Sequence, residues 1–318
     1  MPRAYCLLAG LTQVDEQNAY YRRKLPGFDS RRGCEGCRAD VEKMDRLAHY
    51  LGYERVTAKP LLDAEATRAR LLAALEMVAD SSSPIQPGDI FLFYLSCHGQ
   101  TLGDGPTRRQ NSPVGNAVNI FLLHDRPVTN FDLRFALLKL VDRGVRVVTV
   151  IDACHAGLGS NLVGAGAKPP TGFLGLVNET ARAADERLIA AFGLQISRLP
   201  SGTVVSPTVL SKRLDEQKAM FSKLHSSKVA GSGKKSGLAH FGAVRDEGRA
   251  LGGEDGSLFT RLFYSLFVNG GDGLRYRQFA EEVEVRMPPQ HPPVFEPSDA
   301  QDFGADCFLE KETVLQIH

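Results

Sequence analysis

The 318-residue chain carries 38 Lys and Arg against 37 Asp and Glu, a formal net charge of +1, so it shows no electrostatic footprint for DNA or RNA. No apolar run approaches the length of about 20 residues that spans a bilayer, and Met1-Pro2-Arg3 opens no signal-peptide core; the expectation is a soluble, cytoplasmic protein with no membrane partner. Its six cysteines, Cys6, Cys34, Cys37, Cys97, Cys154 and Cys307, are read as reduced thiols and not as a disulfide framework.

Taken in chain order, Ala4 to Gly10 is a first buried strand ending in glycine. Arg38 to Leu51 spaces Val41, Met44, Leu47 and Ala48 as on one helix face, and Gly52 ends it. Tyr53 to Lys59 reads as a short second strand, and Ala64 to Ala79 as an amphipathic helix stopped by Ser81-Ser82-Ser83-Pro84. Asp89 to Cys97 and Arg146 to Asp152 are strands apolar on both faces, with a helix from Phe131 to Asp142 between them. Gly99 to Asn119 has no periodicity and is read as a long loop. A second irregular stretch, Lys223 to Ser236, precedes possible strands at Leu238 to Arg245 and Asp306 to Glu310 and helices at Ser257 to Val268 and Tyr276 to Val285. Length alone permits two domains, but the βα alternation argues for one α/β domain, 1–318, built on a mainly parallel sheet of about six strands with helices on both faces. Within it, 1–197 forms a large part, 198–237 a helix and flexible basic linker, and 238–318 a small part.

Two segments carry the chemistry. Tyr94-Leu95-Ser96-Cys97-His98-Gly99 and Ile151-Asp152-Ala153-Cys154-His155-Ala156-Gly157 are strand runs that stop on a reactive side chain. A histidine beside a cysteine lowers the thiol pKa and can later protonate a leaving group. If the two strands are neighbours, His98 and Cys154 emerge at the same carboxyl edge, where open α/β sheets place their sites. By strand alternation His155 leaves the chain on the other face from Cys154 and is expected to be structural, while Asp152 shares the face of Cys154. One reading has Asp152 orient His98, as the acid does in serine triads.

These motifs resemble the caspase-like cysteine peptidases, in particular the metacaspase and bacterial orthocaspase branch. The first is similar to that family's Tyr-Ser-Gly-His-Gly segment, with Cys97 where glycine is usual, and the second to Asp-Cys-Cys-His-Ser-Gly, with Ala153 and Ala156 as departures. The likeness extends through Cys37-Arg38-Ala39-Asp40, Leu123-His124-Asp125-Arg126 and Gly256-Ser257-Leu258-Phe259-Thr260, as far as Gln290-His291-Pro292. It implies a caspase-like fold and a cysteine endopeptidase in which Cys154 attacks the scissile carbonyl and His98 acts as base and then acid. Backbone N–H groups of Gly99 and Cys154 would form the oxyanion hole. The resemblance also implies a second reading of Asp152: with Asp40, Ser96 and Cys37 it lines an acidic S1 pocket, so that cleavage follows Arg or Lys and not Asp.

No cofactor is expected. Some metacaspases need calcium, but Asp104, Asp125, Asp132 and Asp142 are too dispersed to suggest a converging oxygen site. The partner implied is a protein or peptide with Arg or Lys at P1, and bacterial relatives suggest a defence or cell-death role, such as cleavage of a gasdermin-like pore former. Arg198, Arg213, Lys223, Lys228, Lys234 and Lys235 are candidate self-cleavage positions. Other classes remain in view: a silent caspase-like binding or scaffold protein, a partner-activated zymogen, and a thiol redox protein using Cys34 and Cys37. Gly231-Ser232-Gly233-Lys234 fails the phosphate-loop pattern, and Arg22-Arg23-Lys24 with Arg31-Arg32 is a solvated basic cluster. Neither oligomeric state nor activation mechanism is legible.

Overall fold

A computed structural model describes residues 2–24, 30–31, 34–102, 118–154, 156, 195–196, 237–244, 250–269 and 274–297. Strand β1 (Ala4–Gly10) is followed by a short helix α1 (Ala19–Lys24) and by α2 (Cys37–Tyr50), which buries Val41, Met44, Leu47 and Ala48. The strand expected over Tyr53 to Lys59 is reduced to β2 (Glu54–Arg55), and a further short strand, β3 (Leu61–Leu62), lies just beyond it. Helix α3 (Arg68–Ala79) begins four residues later than its apolar pattern, because Thr67 caps it by accepting from the Arg70 N–H at 3.2 Å, and residues 63–65 form only a single 3-10 turn.

Strand β4 (Ile90–Ser96) is buried throughout. The stretch read as a loop after it is bounded by two strands, β5 (Gly99–Leu102) and β6 (Val118–Phe121), which join β7 (Val128–Thr129) in a small antiparallel sheet. Alternation is too weak in these four-residue runs to betray them. Helix α4 (Asn130–Asp142) opens on a capping box between Thr129 and Asp132 and leads into β8 (Arg146–Asp152). The remaining elements are β9 (Gln195–Ile196), β10 (Gly237–Gly242), β11 (Leu251–Gly252), α5 (Leu258–Val268), α6 (Tyr276–Arg286) and β12 (Val294–Pro297). The strand expected at Asp306 to Glu310 and most of the 198–237 linker lie outside the described residues.

The central sheet runs β12-β10-β8-β4-β1, with β2 and β3 sharing the far edge of β1. Every pairing in it is parallel except β10 with β12, an antiparallel edge strand that the sequence pattern did not reveal. Strands from both sides of the linker, β8 and β10, are direct neighbours. Helices cover both faces, as the two-faced apolar strands require. On one face Leu71, Leu75, Leu133 and Leu137 of α3 and α4 pack on Leu7, Phe91, Phe93 and Val147. On the other, Val41 and Met44 of α2 and the aromatics of α5 and α6 pack on Leu8, Leu92 and Phe241. Phe263 and Phe279 meet edge to face at 4.7 Å, and each such buried ring contributes about 1.5–3 kcal/mol. Rigid packing on both faces fixes the carboxyl ends of β4 and β8.

Candidate active site

β4 and β8 pair in register from Ile90 with Arg146 to Ser96 with Asp152, and the Cys97 N–H donates to the Asp152 carbonyl at 3.1 Å. His98 and Cys154 each lie two residues beyond that last pair, so both leave the sheet at the same carboxyl edge. Both are buried, at 1% and 3% exposure. Gly99 is dictated by this closeness: a Cβ on it would stand 1.8 Å from the Cys154 carbonyl oxygen. Backbone cannot yield as a flexible side chain can. Gly99→Ala is therefore expected to force β4 and β8 apart at the site and to abolish titration of Cys154 by a thiol-reactive peptide, which a burst titration would show.

His98 is aligned by a group the sequence did not announce. Its Nε2 donates to the carbonyl of Ser30 at 2.7 Å, and Ser30 is itself anchored where its Oγ accepts from the Val14 N–H at 3.1 Å. A carbonyl can only accept, so Nε2 carries a proton in this contact. Only a backbone atom is involved, so no residue type marks it.

The Cys154 Sγ accepts from the Ala250 N–H at 3.1 Å, an arrangement that favours negative charge on sulfur. The turn after it is held by His240 of β10, whose Nε2 donates to the Ala156 carbonyl at 2.7 Å while Nδ1 accepts from Thr149 Oγ1 at 2.8 Å. His155 lies outside the described residues.

Close to Cys154 is a narrow cleft lined by Cys37, Asp40, Ser96, Asp152 and Ser257 and by Ala250, Gly252 and Gly253. All four residues assigned to S1 from the resemblance thus border one cavity. Asp40 Oδ2 accepts from Ser96 Oγ at 3.1 Å and its Oδ1 from the Ser257 N–H at 2.8 Å. Asp152 Oδ2 accepts from the hydroxyls of Ser257 and Thr260. Asp152 is accordingly directed at the first turn of α5, while the carbonyl of Ser30 takes the imidazole Nε2 that the triad reading would have assigned to it. Gly256, at φ +99°, adopts a left-handed conformation suited to glycine and lets the loop approach Asp40, since a Cβ there would stand 2.1 Å from Asp40 Oδ1.

Burial pushes both carboxyls above the ordinary carboxylate range, and the charge of Asp152 pushes Asp40 further. Hydrogen bonds from Ser257, Ser96 and Thr260 and the nearby Lys43 oppose this. Cys34 hydrogen-bonds Cys37, and burial first, then that contact, raises its thiol well above the usual value. Cys97 packs into the α3 and α4 layer and borders the cleft, with its thiol likewise raised by burial.

Among the described residues no cluster of three or more His, Cys, Asp or Glu could hold a metal ion. Asp125 Oδ1 accepts from the Arg68 N–H at 2.7 Å and Asp132 caps α4, while Asp104 lies outside the described residues. No helix among the described residues is long and apolar enough to cross a membrane.

A family model described as a caspase domain matches residues 17–303. Among solved structures, protein GSU0716 of Geobacter sulfurreducens is 22% identical over 95% of each chain, with a TM-score of 0.57, a likeness of fold. Caspase-1 of Spodoptera frugiperda is 11% identical, over 93% of this chain and 87% of that one, with a TM-score of 0.46. No curated protein matches the sequence.

Proposed function

The chain belongs to the caspase-domain family of cysteine peptidases, and from that premise we propose that it is an endopeptidase of the metacaspase and orthocaspase type that cleaves proteins after Arg or Lys. The observation that carries the specificity is the meeting of Asp40 and Asp152, 2% and 3% exposed, in one cleft beside Cys154. Two carboxylates buried together repel each other, and an incoming guanidinium or ammonium relieves that repulsion with charge-assisted hydrogen bonds. An aspartate at P1 would add a third like charge.

In this reading His98 Nδ1 takes the Cys154 proton and the sulfur attacks the scissile carbonyl. The N–H groups of Gly99 and Cys154 stabilise the oxyanion, and the imidazolium returns the proton to the leaving amine. Water, deprotonated by His98, then hydrolyses the thioester. The protein is read as one domain, with parts 1–197 and 238–318 joined by a basic linker, 198–237, that is open to self-cleavage. A role in bacterial defence or programmed cell death, with a gasdermin-like substrate, follows from the branch of the family alone.

A second reading, a zymogen awaiting a partner or a cut, is favoured by the burial of His98 and Cys154 and by the Ala250 N–H on the sulfur. Fluorogenic peptides with Arg, Lys or Asp at P1, assayed with and without a calcium chelator, separate the two. We expect turnover after Arg and Lys that the chelator leaves unchanged. Turnover after Asp alone keeps the peptidase and sinks the acidic pocket. Silence that ends on limited proteolysis within 198–236 selects the zymogen.

A further inference from the structure

We propose that Tyr94, Thr260 and Ser257 form a positioning relay that holds Asp152 as the ionised member of the acid pair and so sets the preference for a cationic P1 side chain; this rests on the peptidase reading above. The argument is one of proton bookkeeping. Ser257 Oγ has a single proton, directed to Asp152 Oδ2, and accepts the Thr260 N–H at 2.9 Å. Thr260 Oγ1 also gives its only proton to Oδ2. With Asp152 ionised, the hydroxyl of Tyr94, 2.7 Å from Thr260 Oγ1, is the donor in that contact.

Every proton in the chain therefore points toward one oxygen. Tyr94 and Thr260 are fully buried and Ser257 is 5% exposed, so water cannot reverse the direction cheaply, and each bond polarises the next. A proton placed on Oδ2 would meet two O–H donors. Asp40 Oδ2 has one hydroxyl partner, Ser96 Oγ, which need only rotate to accept from a protonated carboxyl, whereas protonating Asp152 Oδ2 requires Thr260 and Tyr94 to turn together, so Asp40 is the member that takes up a proton. Three of the donors to the pair, the hydroxyls of Ser257 and Thr260 and the Ser257 N–H, come from the start of α5, in the part of the chain beyond the linker. The other titratable groups that interact with the pair are Lys43 of α2, Tyr94 of β4 and Cys97 just beyond it; Lys43 supplies the positive charge.

Tyr94→Phe removes one hydroxyl that touches neither Asp152 nor the cleft lining. On the full chain, KM for an Arg-P1 peptide is expected to rise about fivefold, with kcat held within about twofold. The pH at which KM improves should move to the alkaline side, because a carboxylate with weaker donors is harder to ionise. Thr260→Val should raise KM about 30-fold and Thr260→Ser restore it. A role confined to packing would lower Tm and leave the pH dependence of KM in place, and that result would overturn the relay. So would a fall in kcat at constant KM. If Tyr94→Phe does not fold, the Thr260→Val and Thr260→Ser pair decides by the same pH profile. Wild-type protein with no preference for Arg or Lys over Asp would instead remove the pocket reading on which the relay stands.

Discussion

Replacing Cys154 by alanine is expected to lower kcat for an Arg-P1 peptide by at least about 10⁴-fold while leaving KM near the wild-type value. The side chain is 3% exposed at the tip of a strand end already spaced by Gly99, so loss of one sulfur leaves the surrounding backbone in place. His98→Ala should cost a similar factor, and the double variant little more than either alone, because nucleophile and base act as one unit. Near-additive losses would mean that the two residues do not serve the same step. Comparable circular dichroism and Tm across the series would separate lost chemistry from lost fold. A Cys154→Ala protein that retains turnover would move the nucleophile elsewhere; Cys37 and Cys97, which border the same cleft, are the thiols to test next.

Asp152→Asn is expected to reduce kcat/KM for Arg-P1 peptides by about 100-fold, since one charge-assisted contact to the guanidinium is worth about 1.5–3 kcal/mol and a full charge is removed with it. Asp40→Asn should act in the same direction with less effect, because its amide nitrogen can donate to Ser96 Oγ while its oxygen still accepts from the Ser257 N–H. The pH dependence has a definite sign. Asp40 is raised in the folded protein, so part of the free enzyme carries a proton that a cation must displace, and KM falls as pH climbs through the raised value. The same shift governs stability in the opposite sense. A carboxyl raised above its unfolded value of about 4 contributes stability in full below that value and loses it as pH rises through the folded one. Asp40→Asn is therefore expected to raise Tm at mildly alkaline pH, by about 2–4 °C for each kcal/mol of repulsion relieved, while weakening Arg binding. Thermal melts of wild type and variant that run parallel across the acidic and alkaline ranges would show that the pair is not strained by its charge.

How far the site was legible follows from the kind of signal each part leaves. The doubly apolar runs at β4 and β8 implied parallel neighbours between helix layers, and their pairing from Ile90 with Arg146 onward has the register that puts His98 and Cys154 at one edge. Cys97 packs in the α3 and α4 layer, on the opposite face from Leu92 and Tyr94, as strand alternation requires. These are local properties: side-chain period and apolar content act over a few residues and are written in order along the chain. The resemblance singled out Cys37, Asp40, Ser96 and Asp152 together, but not what holds the two acids.

That was decided by contacts between distant positions. The Ser257 N–H reaches Asp40 across 217 residues of sequence, and the carbonyl of Ser30 reaches His98 across 68. A backbone carbonyl carries no residue signature, and a serine that caps a helix looks the same whether or not its hydroxyl also binds a buried acid. The short strands β5, β6, β11 and β12 were missed for a related reason: runs of two to four residues pair only because the layers on either side hold them in place. Burial patterning is local, so the long strands, the helix layers and the reactive side chains at the strand ends could be read along the chain. Which nitrogen of His98 carries a proton and which groups hold each carboxylate depend on hydrogen bonds between segments that meet only after the chain has folded.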